Sequence, residues 1–373
     1  MRRTALLIGL LVFALGVSAL AGPGEYQLIP NRDTSLSYDV GLGSTGGNWV
    51  GRGAKRPGGQ QENVSLWSWD QAATQAFINA HGGRSNIEAS SFNVCVGNDG
   101  IYVCQMVGKV ALSTFHLAPG EDWVEGNGME AWYDWNSDVQ PWPEGELRAT
   151  WNWQQVTWKY EEGYKVQDMA LSKKWKDAAG TEVNAIDQLP KAITNSLKLN
   201  DPDPPAGLPG VIASETWGSV ALDLVGVDPA PSFFDDLVYT ADCRGFMLWC
   251  SDVKDANNWM AHFRETVTQA GHETHAPYMQ LKFFDRIGDA NYDRAVDYLD
   301  LGALAGHYRQ VGGATWNDGD FNKDGNVDYL DLGLLAGVYR STDPPIYTPG
   351  QPLPEPISLL LLAGLTPLLR RRR

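Results

Sequence analysis

The chain has 373 residues, with 29 Lys+Arg against 45 Asp+Glu and a formal net charge of −16. Arg2 and Arg3 at one end, and Arg370–Arg373 against Glu355 at the other, lie in end segments of net +2 and +3, so the body between them carries about −21. That excludes nucleic-acid binding, because too little positive charge is left to displace counterions from a phosphate backbone. Hydrophobic residues at 43% exclude global disorder, and 40 Gly with 21 Pro favour a turn-rich, mainly β body over a helical bundle.

Residues 1–22 read as a secretory signal peptide. Arg2 and Arg3 form the charged start, Ala5 to Val17 the apolar stretch, and Ala19-Leu20-Ala21 a small-x-small cleavage site. An uncleaved anchor is the alternative, but the apolar stretch falls short of the ~20 residues that span comfortably. The chain is expected to be exported.

Residues 23–284 form the large body. Short alternating segments, Val220 to Val225 and Tyr278 to Phe283, are separated by Gly- and Pro-rich breaks such as 201–210. This pattern predicts an antiparallel β-sandwich, with short helices expected over 67–80 and 254–270. Four cysteines in an exported chain invite disulfides. Asp99-Gly100 suits a two-residue hairpin turn, which pairs Val96 with Val103 and sets Cys95 opposite Cys104 at ~4.5 Å between Cα atoms. A Cys95–Cys104 bridge is therefore predicted. Cys243 and Cys250 would face opposite sides of a straight strand.

Trp123, Trp132, Trp135, Trp142, Trp151, Trp153 and Trp158 crowd into 36 residues. Indoles can stack on sugar faces, with Asp134, Glu144 or Asn152 bonding hydroxyls, or they can fill a β core. Trp151 and Trp153 share one strand face and Trp158 the other, so they cannot all point the same way. Glu144/Glu146 and Asp235/Asp236 are carboxylate pairs of the kind glycoside hydrolysis needs, but sequence cannot set their ~5–9.5 Å separation. His272-Glu-Thr-His275 lacks the i, i+4 histidine spacing of the helical zinc signature. Gly41 to Gly46 has the letters of a dinucleotide loop without its strand–turn–helix setting. No catalytic constellation emerges.

Ile29 to Ser35, Trp142 to Gly145 with Thr150-Trp151-Asn152, Ala221 to Leu224, Gly245 to Leu248 and Pro277 to Leu281 stand in the order of landmarks in the DNRLRE domain. The body resembles that jelly-roll-like module of secreted bacterial proteins, which implies a jelly-roll-like sandwich linked to carbohydrate binding. Ser65 to Asp70 replaces the family's usual Leu-Arg-Phe-Asp strand.

Residues 288–309 and 319–340 match at 16 of 22 positions with an offset of 31, so the chain contains an internal repeat. Oxygen-bearing side chains recur at loop positions 1, 3, 5, 9 and 12. The first copy supplies Asp289, Asn291, Asp293, Asp297 and Asp300, and the second Asp320, Asn322, Asp324, Asp328 and Asp331. Calcium takes six to eight oxygens at ~2.3–2.6 Å, and the position-7 carbonyls of Ala295 and Asn326 complete each set. Magnesium demands a stricter octahedron and keeps its waters. Position 6 needs a sharp turn, which Gly325 suits and Arg294 does not, so the first of two Ca2+ sites is expected to be weaker. Val296 and Val327, at position 8, are expected to pair between the loops. Leu301, Leu304, Ala305 and Tyr308 recur on one helical face, as do Leu332, Leu335, Ala336 and Tyr339. Eleven Asp and no Glu lie between 285 and 343, and such crowding should loosen the unit without metal. A decayed acidic repeat on a solvated surface is the alternative.

Asp rather than Glu at position 12, with one helix after each loop, resembles type I dockerins, duplicated calcium modules that plug proteins into cohesin domains. The resemblance covers 285–343 and implies a small α-helical module with a cohesin-like protein partner. It also makes the named Asp and Asn side chains the calcium ligands. Positions 10 and 11 often help to choose the partner in that family, and here both copies carry Tyr-Leu (Tyr298-Leu299 and Tyr329-Leu330).

Residues 344–353 read as a linker. Pro354-Glu355-Pro356, an uncharged run from Ile357 to Leu369 and four arginines then close the chain. Arginines after an apolar run hold that end on the cytoplasmic side. Thirteen helical residues reach only ~20 Å, short of a ~30 Å hydrocarbon layer, so membrane anchoring is marginal. The order resembles the PEP-CTERM sorting signal (354–373), which implies processing by an exosortase-type membrane enzyme. A simple tail anchor is the alternative. The whole then reads as an exported cell-surface protein: a noncatalytic, carbohydrate-facing sandwich with a calcium-ordered docking module. A polysaccharide-degrading enzyme carrying a dockerin is the second reading.

Overall fold

The computed structural model of the chain describes residues 22–37, 40–42, 48–52, 62–97, 110–124, 153–155, 158–161, 164–167, 169–183, 193–194, 198–199, 216–222, 232–250, 258–261 and 276–349. In chain order the first strands are β1 (Glu25–Leu28), β2 (Arg32–Ser37), β3 (Val40–Leu42), β4 (Asn48–Arg52), β5 (Glu62–Ser68), β6 (Ile87–Gly97) and β7 (Val110–His116). Next come β8 (Trp153–Gln155), β9 (Trp158–Glu161), β10 (Tyr164–Gln167), β11 (Lys173–Lys176), β12 (Glu182–Val183), β13 (Ile193–Thr194) and β14 (Lys198–Leu199). The last are β15 (Thr216–Ala221), β16 (Cys243–Cys250), β17 (Asn258–Ala261) and β18 (Tyr278–Phe283). The helices are α1 (Gln71–Ala80), α2 (Phe233–Tyr239), α3 (Tyr298–His307) and α4 (Tyr329–Val338).

The described residues fall into two compact units. One takes in 28–74 and 90–280, the other 17–27, 75–89 and 281–373. In the first, antiparallel strands run in the order β6-β17-β4-β5-β16-β7-β13. β2 also pairs with β5, placing Asp33 opposite Trp67. Two smaller antiparallel sheets, β9–β10 and β8–β11–β12, accompany it. The architecture is thus antiparallel sheet with a few helices.

Large aromatics fill the core of this unit. Trp67, Phe92 and Phe246 are fully buried, and Trp69 stacks on Phe246 with ring centroids 5.7 Å apart. β16 carries an irregularity between Cys243 and Phe246, where Gly245 takes φ 128°. A Cβ there would lie 2.2 Å from the Trp67 carbonyl oxygen, which only glycine avoids. Gly245→Ala should therefore destabilise this unit by about 2–3 kcal/mol, read from denaturant midpoints at unchanged m-value.

Two local expectations are corrected. Residues 258–261 form a strand rather than part of a helix, because their backbone pairs with 48–51 on one side and with Val96 and Gly97 on the other. The expected hairpin over 95–104 lies largely outside the described residues; within them, Val96 has Thr216 on one edge and Ala261 on the other. Cys95 is buried in β6, opposite Trp217, while Cys104 lies outside the described residues. α1 starts later than 67 because Trp67 belongs to the sheet; Asp70 then accepts the Ala73 amide at 3.0 Å and opens the helix.

The second unit gathers α3 and α4 with chain from far upstream. Tyr26, Phe77, His81 and Phe283 form an aromatic cluster, with His81 stacked on Phe283 at 5.1 Å. β18 alternates between half-buried and buried, as its sequence predicts. Residues 344–347, the start of the expected linker, return to the beginning of the repeat: Ile287 donates to the Pro345 carbonyl and Tyr347 to that of Asp285. No helix among the described residues is long and apolar enough to cross a membrane. Residues 1–21 and 354–373 lie outside them.

Candidate metal centre

Both Asp/Asn loops close on themselves by the same bonds. In the first, Asp289 accepts the amides of Asp293 (3.1 Å) and Arg294 (2.9 Å), and Asp293 accepts that of Ala295 (2.8 Å). In the second, Asp320 accepts the amides of Asp324 (3.2 Å) and Gly325 (2.8 Å), and Asp324 accepts that of Asn326 (2.8 Å). Asn291 and Asn322 accept the amides of Asp293 and Asp324. Each loop turns through two left-handed residues, Tyr292 and Arg294 in one, Lys323 and Gly325 in the other. Arg294 thus adopts at φ 67° the conformation Gly325 takes without strain, at a cost of about 1 kcal/mol.

The strain has local compensation. The Arg294 guanidinium bonds Asp343 at 2.7 Å and Ser85 Oγ at 2.6 Å, tying position 6 to chain far outside the repeat. Position 4 is tied as well: Tyr292 donates to Asp285 at 2.8 Å, and Lys323 meets the other oxygen of Asp285 at 2.6 Å. One carboxylate therefore holds both loops.

Positions 9 and 12 serve as helix caps. Asp297 accepts the Leu299 amide and Asp300 returns to the Asp297 amide, a capping box repeated by Asp328 and Asp331. The second oxygens of Asp300 and Asp331 take the amides of Ala290 and Phe321. The sequence led to these four carboxylates only as expected ligands and not as caps, although the Asp-x-x-Asp spacing before an apolar run carries that role.

Asp289, Asp300, Asp320 and Asp331 are buried. Burial pushes the Asp289 carboxyl up to about 7, with Asp293 and Asp300 adding repulsion, and pushes Asp300 up to about 6. Burial raises Asp320 and Asp331 in the same direction. Burial of this kind opposes their ionisation. The donor set is all oxygen, which fits a hard divalent ion and disfavours a soft one.

The expected Val296–Val327 bridge is corrected. Val327 exchanges backbone bonds with Arg309 and Gln310, which follow α3, and Val296 exchanges them with Arg340 and Ser341, which follow α4. Each loop pairs with the exit of the other repeat's helix, a pseudo-twofold exchange. The apolar stripes are only partly covered. Leu304, Leu334 and Leu335 are buried, whereas Leu301, Tyr308, Leu332 and Tyr339 remain exposed. The position-10 tyrosines are more open still, Tyr298 at 63% and Tyr329 at 69%, and Leu299 and Leu330 beside them are exposed as well.

Of the other candidates, Trp123 is buried and donates to the Arg244 carbonyl, with Arg32 stacked on its ring at 4.6 Å, so it is a core residue. Trp132, Trp135, Trp142, Trp151, Glu144, Glu146, His272 and His275 lie outside the described residues. Asp235 caps α2 with Ser232, while Asp236 turns to His116, so the two do not face a common substrate space. No family model, curated protein or solved structure matches the chain.

Proposed function

We propose that the chain is an exported envelope protein in which a noncatalytic, jelly-roll-like, carbohydrate-facing body is carried by a dockerin-like module that binds two calcium ions. Asp289, Asn291, Asp293, Asp297 and Asp300 hold one ion with the Ala295 carbonyl. Asp320, Asn322, Asp324, Asp328 and Asp331 hold the other with that of Asn326. The reading rests above all on the matching hydrogen-bond sets of two loops in each of which the carboxylates at positions 1 and 12 are buried, with no ion pair to them among the described residues.

Calcium supplies the charge that Asp289, Asp300, Asp320 and Asp331 need to stay ionised under burial, and so makes each loop rigid. The exposed Tyr298-Leu299 and Tyr329-Leu330 pairs, one at the head of each helix, are the surface offered to a cohesin-like partner. The expected end signals place the protein in the envelope.

Equilibrium dialysis of the mature chain against calcium should return two ions per chain, falling to one in Asp320→Ala. No uptake at millimolar calcium would remove the reading. A polysaccharide screen that released new reducing ends or unsaturated products would replace the noncatalytic body by an enzyme.

A further inference from the structure

A second set of metal-type donors lies in the other unit, far from the Asp-rich loops in sequence. β7 and β16 pair so that His116 stands directly opposite Cys243. α2 packs against β16 and β7 and brings Asp236 to the same place. One atom from each of His116, Asp236 and Cys243 lies within 4.8 Å of the other two. His116 Nε2 is 2.9 Å from Asp236 Oδ2, and the buried Cys243 carries a free thiol directed at the Gly245 carbonyl, 3.5 Å away.

We propose that His116, Asp236 and Cys243 form a binding site for a divalent transition ion of the zinc type. Zinc bonds of ~2.0–2.3 Å set ligand atoms about 3.3–3.8 Å apart, so donors lying within 4.8 Å of one another admit the ion after side-chain shifts of up to about 1 Å. Imidazole nitrogen and thiolate select a borderline-soft ion over calcium.

The surrounding groups are arranged as metal sites arrange them. Asp242 lies 3.2 Å from His116 Nδ1, on the far side of the ring. That contact fixes the proton on Nδ1 and leaves Nε2 for the metal, the carboxylate–histidine pattern found behind zinc ligands. The Thr114 hydroxyl donates to the ligating oxygen of Asp236 and anchors that carboxylate. Burial holds the Cys243 thiol up at about 12, so the ion must displace its proton on binding. Cys243 also borders a cleft of ≈ 430 Å³ shared with Arg32, Trp69, Glu121 and Arg244. Three protein ligands leave one tetrahedral position for water.

The test uses the mature full-length chain, reduced and in excess calcium so that hard oxygen sites stay filled. One equivalent of cobalt(II) should produce tetrahedral visible bands and a thiolate-to-cobalt charge-transfer band, and zinc should bleach both. Cys243→Ser should abolish the charge-transfer band while Cys95→Ser leaves it, and Asp236→Asn should weaken affinity tenfold or more. Absence of the band in the unaltered chain, or its survival in Cys243→Ser, overturns the site. Should Cys243→Ser fail to fold, X-ray absorption on the zinc-loaded unaltered chain decides: one sulfur in the zinc shell supports the proposal, and a shell without sulfur overturns it.

Discussion

Adding about 1 mM calcium to the chelated mature chain should raise the melting midpoint of the unit containing 281–373 by more than about 10 °C. A ligand that binds only the folded state stabilises it by RT ln(1 + [L]/Kd). With a Kd of ~10⁻⁵ M, the weak end of the range for sensor loops, each ion contributes ~2.7 kcal/mol at that supply. One kcal/mol moves a domain of 60–100 residues by ~4–8 °C. Asp320→Ala should remove roughly half of the gain and leave the first site responsive. Calorimetric scans with calcium and with chelator make the comparison, and superimposable scans would refute the linkage.

Without calcium, the same unit should melt at a lower temperature at pH 8 than at pH 5. Asp289 and Asp300 have folded-state values of about 7 and about 6, above the ordinary carboxylate value of 3.8. A group raised in this way contributes stability that is full below its unfolded pKa and is lost as pH rises through its folded one. The loss therefore falls between about pH 4 and pH 7, and the upward shifts of Asp320 and Asp331 add to it. His81 works against the trend: burial lowers its pKa, so its contribution is lost as pH falls. Two deeply buried carboxylates outweigh one imidazole, and the net slope should be negative. Calcium should reverse it, since ionised ligands bind the metal and protonated ones do not. Scans at pH 5 and 8, each with calcium and with chelator, test both signs.

The loops were legible because their chemistry is local. Five oxygen donors within twelve residues, repeated 31 later, specify where chain must curl, and the structure curls it there. The strand Tyr278–Phe283 was legible for the same reason, since alternation over six residues needs no distant partner. What escaped depends on sequence separation. Nothing near Asp285 signals that Tyr292 and Lys323 share it, or that Arg294 reaches Ser85. His116, Asp236 and Cys243 are spread over more than a hundred residues and meet only through the pairing of β7 with β16. Residues 258–261 carry helix-compatible letters, yet the sheet supplies two hydrogen-bonding neighbours that an isolated helix would lack. Val296 and Val327 are apolar and buried, but their backbone partners follow the other repeat's helix, which spacing alone does not encode.

The crossed pairing of Val296 and Val327 has a consequence for how such a module arises. A peptide holding one repeat would leave the amide and carbonyl of its position-8 valine without the partners they take from the other repeat, so it should self-associate as a symmetric homodimer. Tandem fusion turns that dimer into a monomer: the second half is present at an effective concentration set by a short tether and no longer by the cell's supply. It also frees the halves to diverge, which is how one turn can carry arginine and the other glycine while the shared backbone scaffold stays the same.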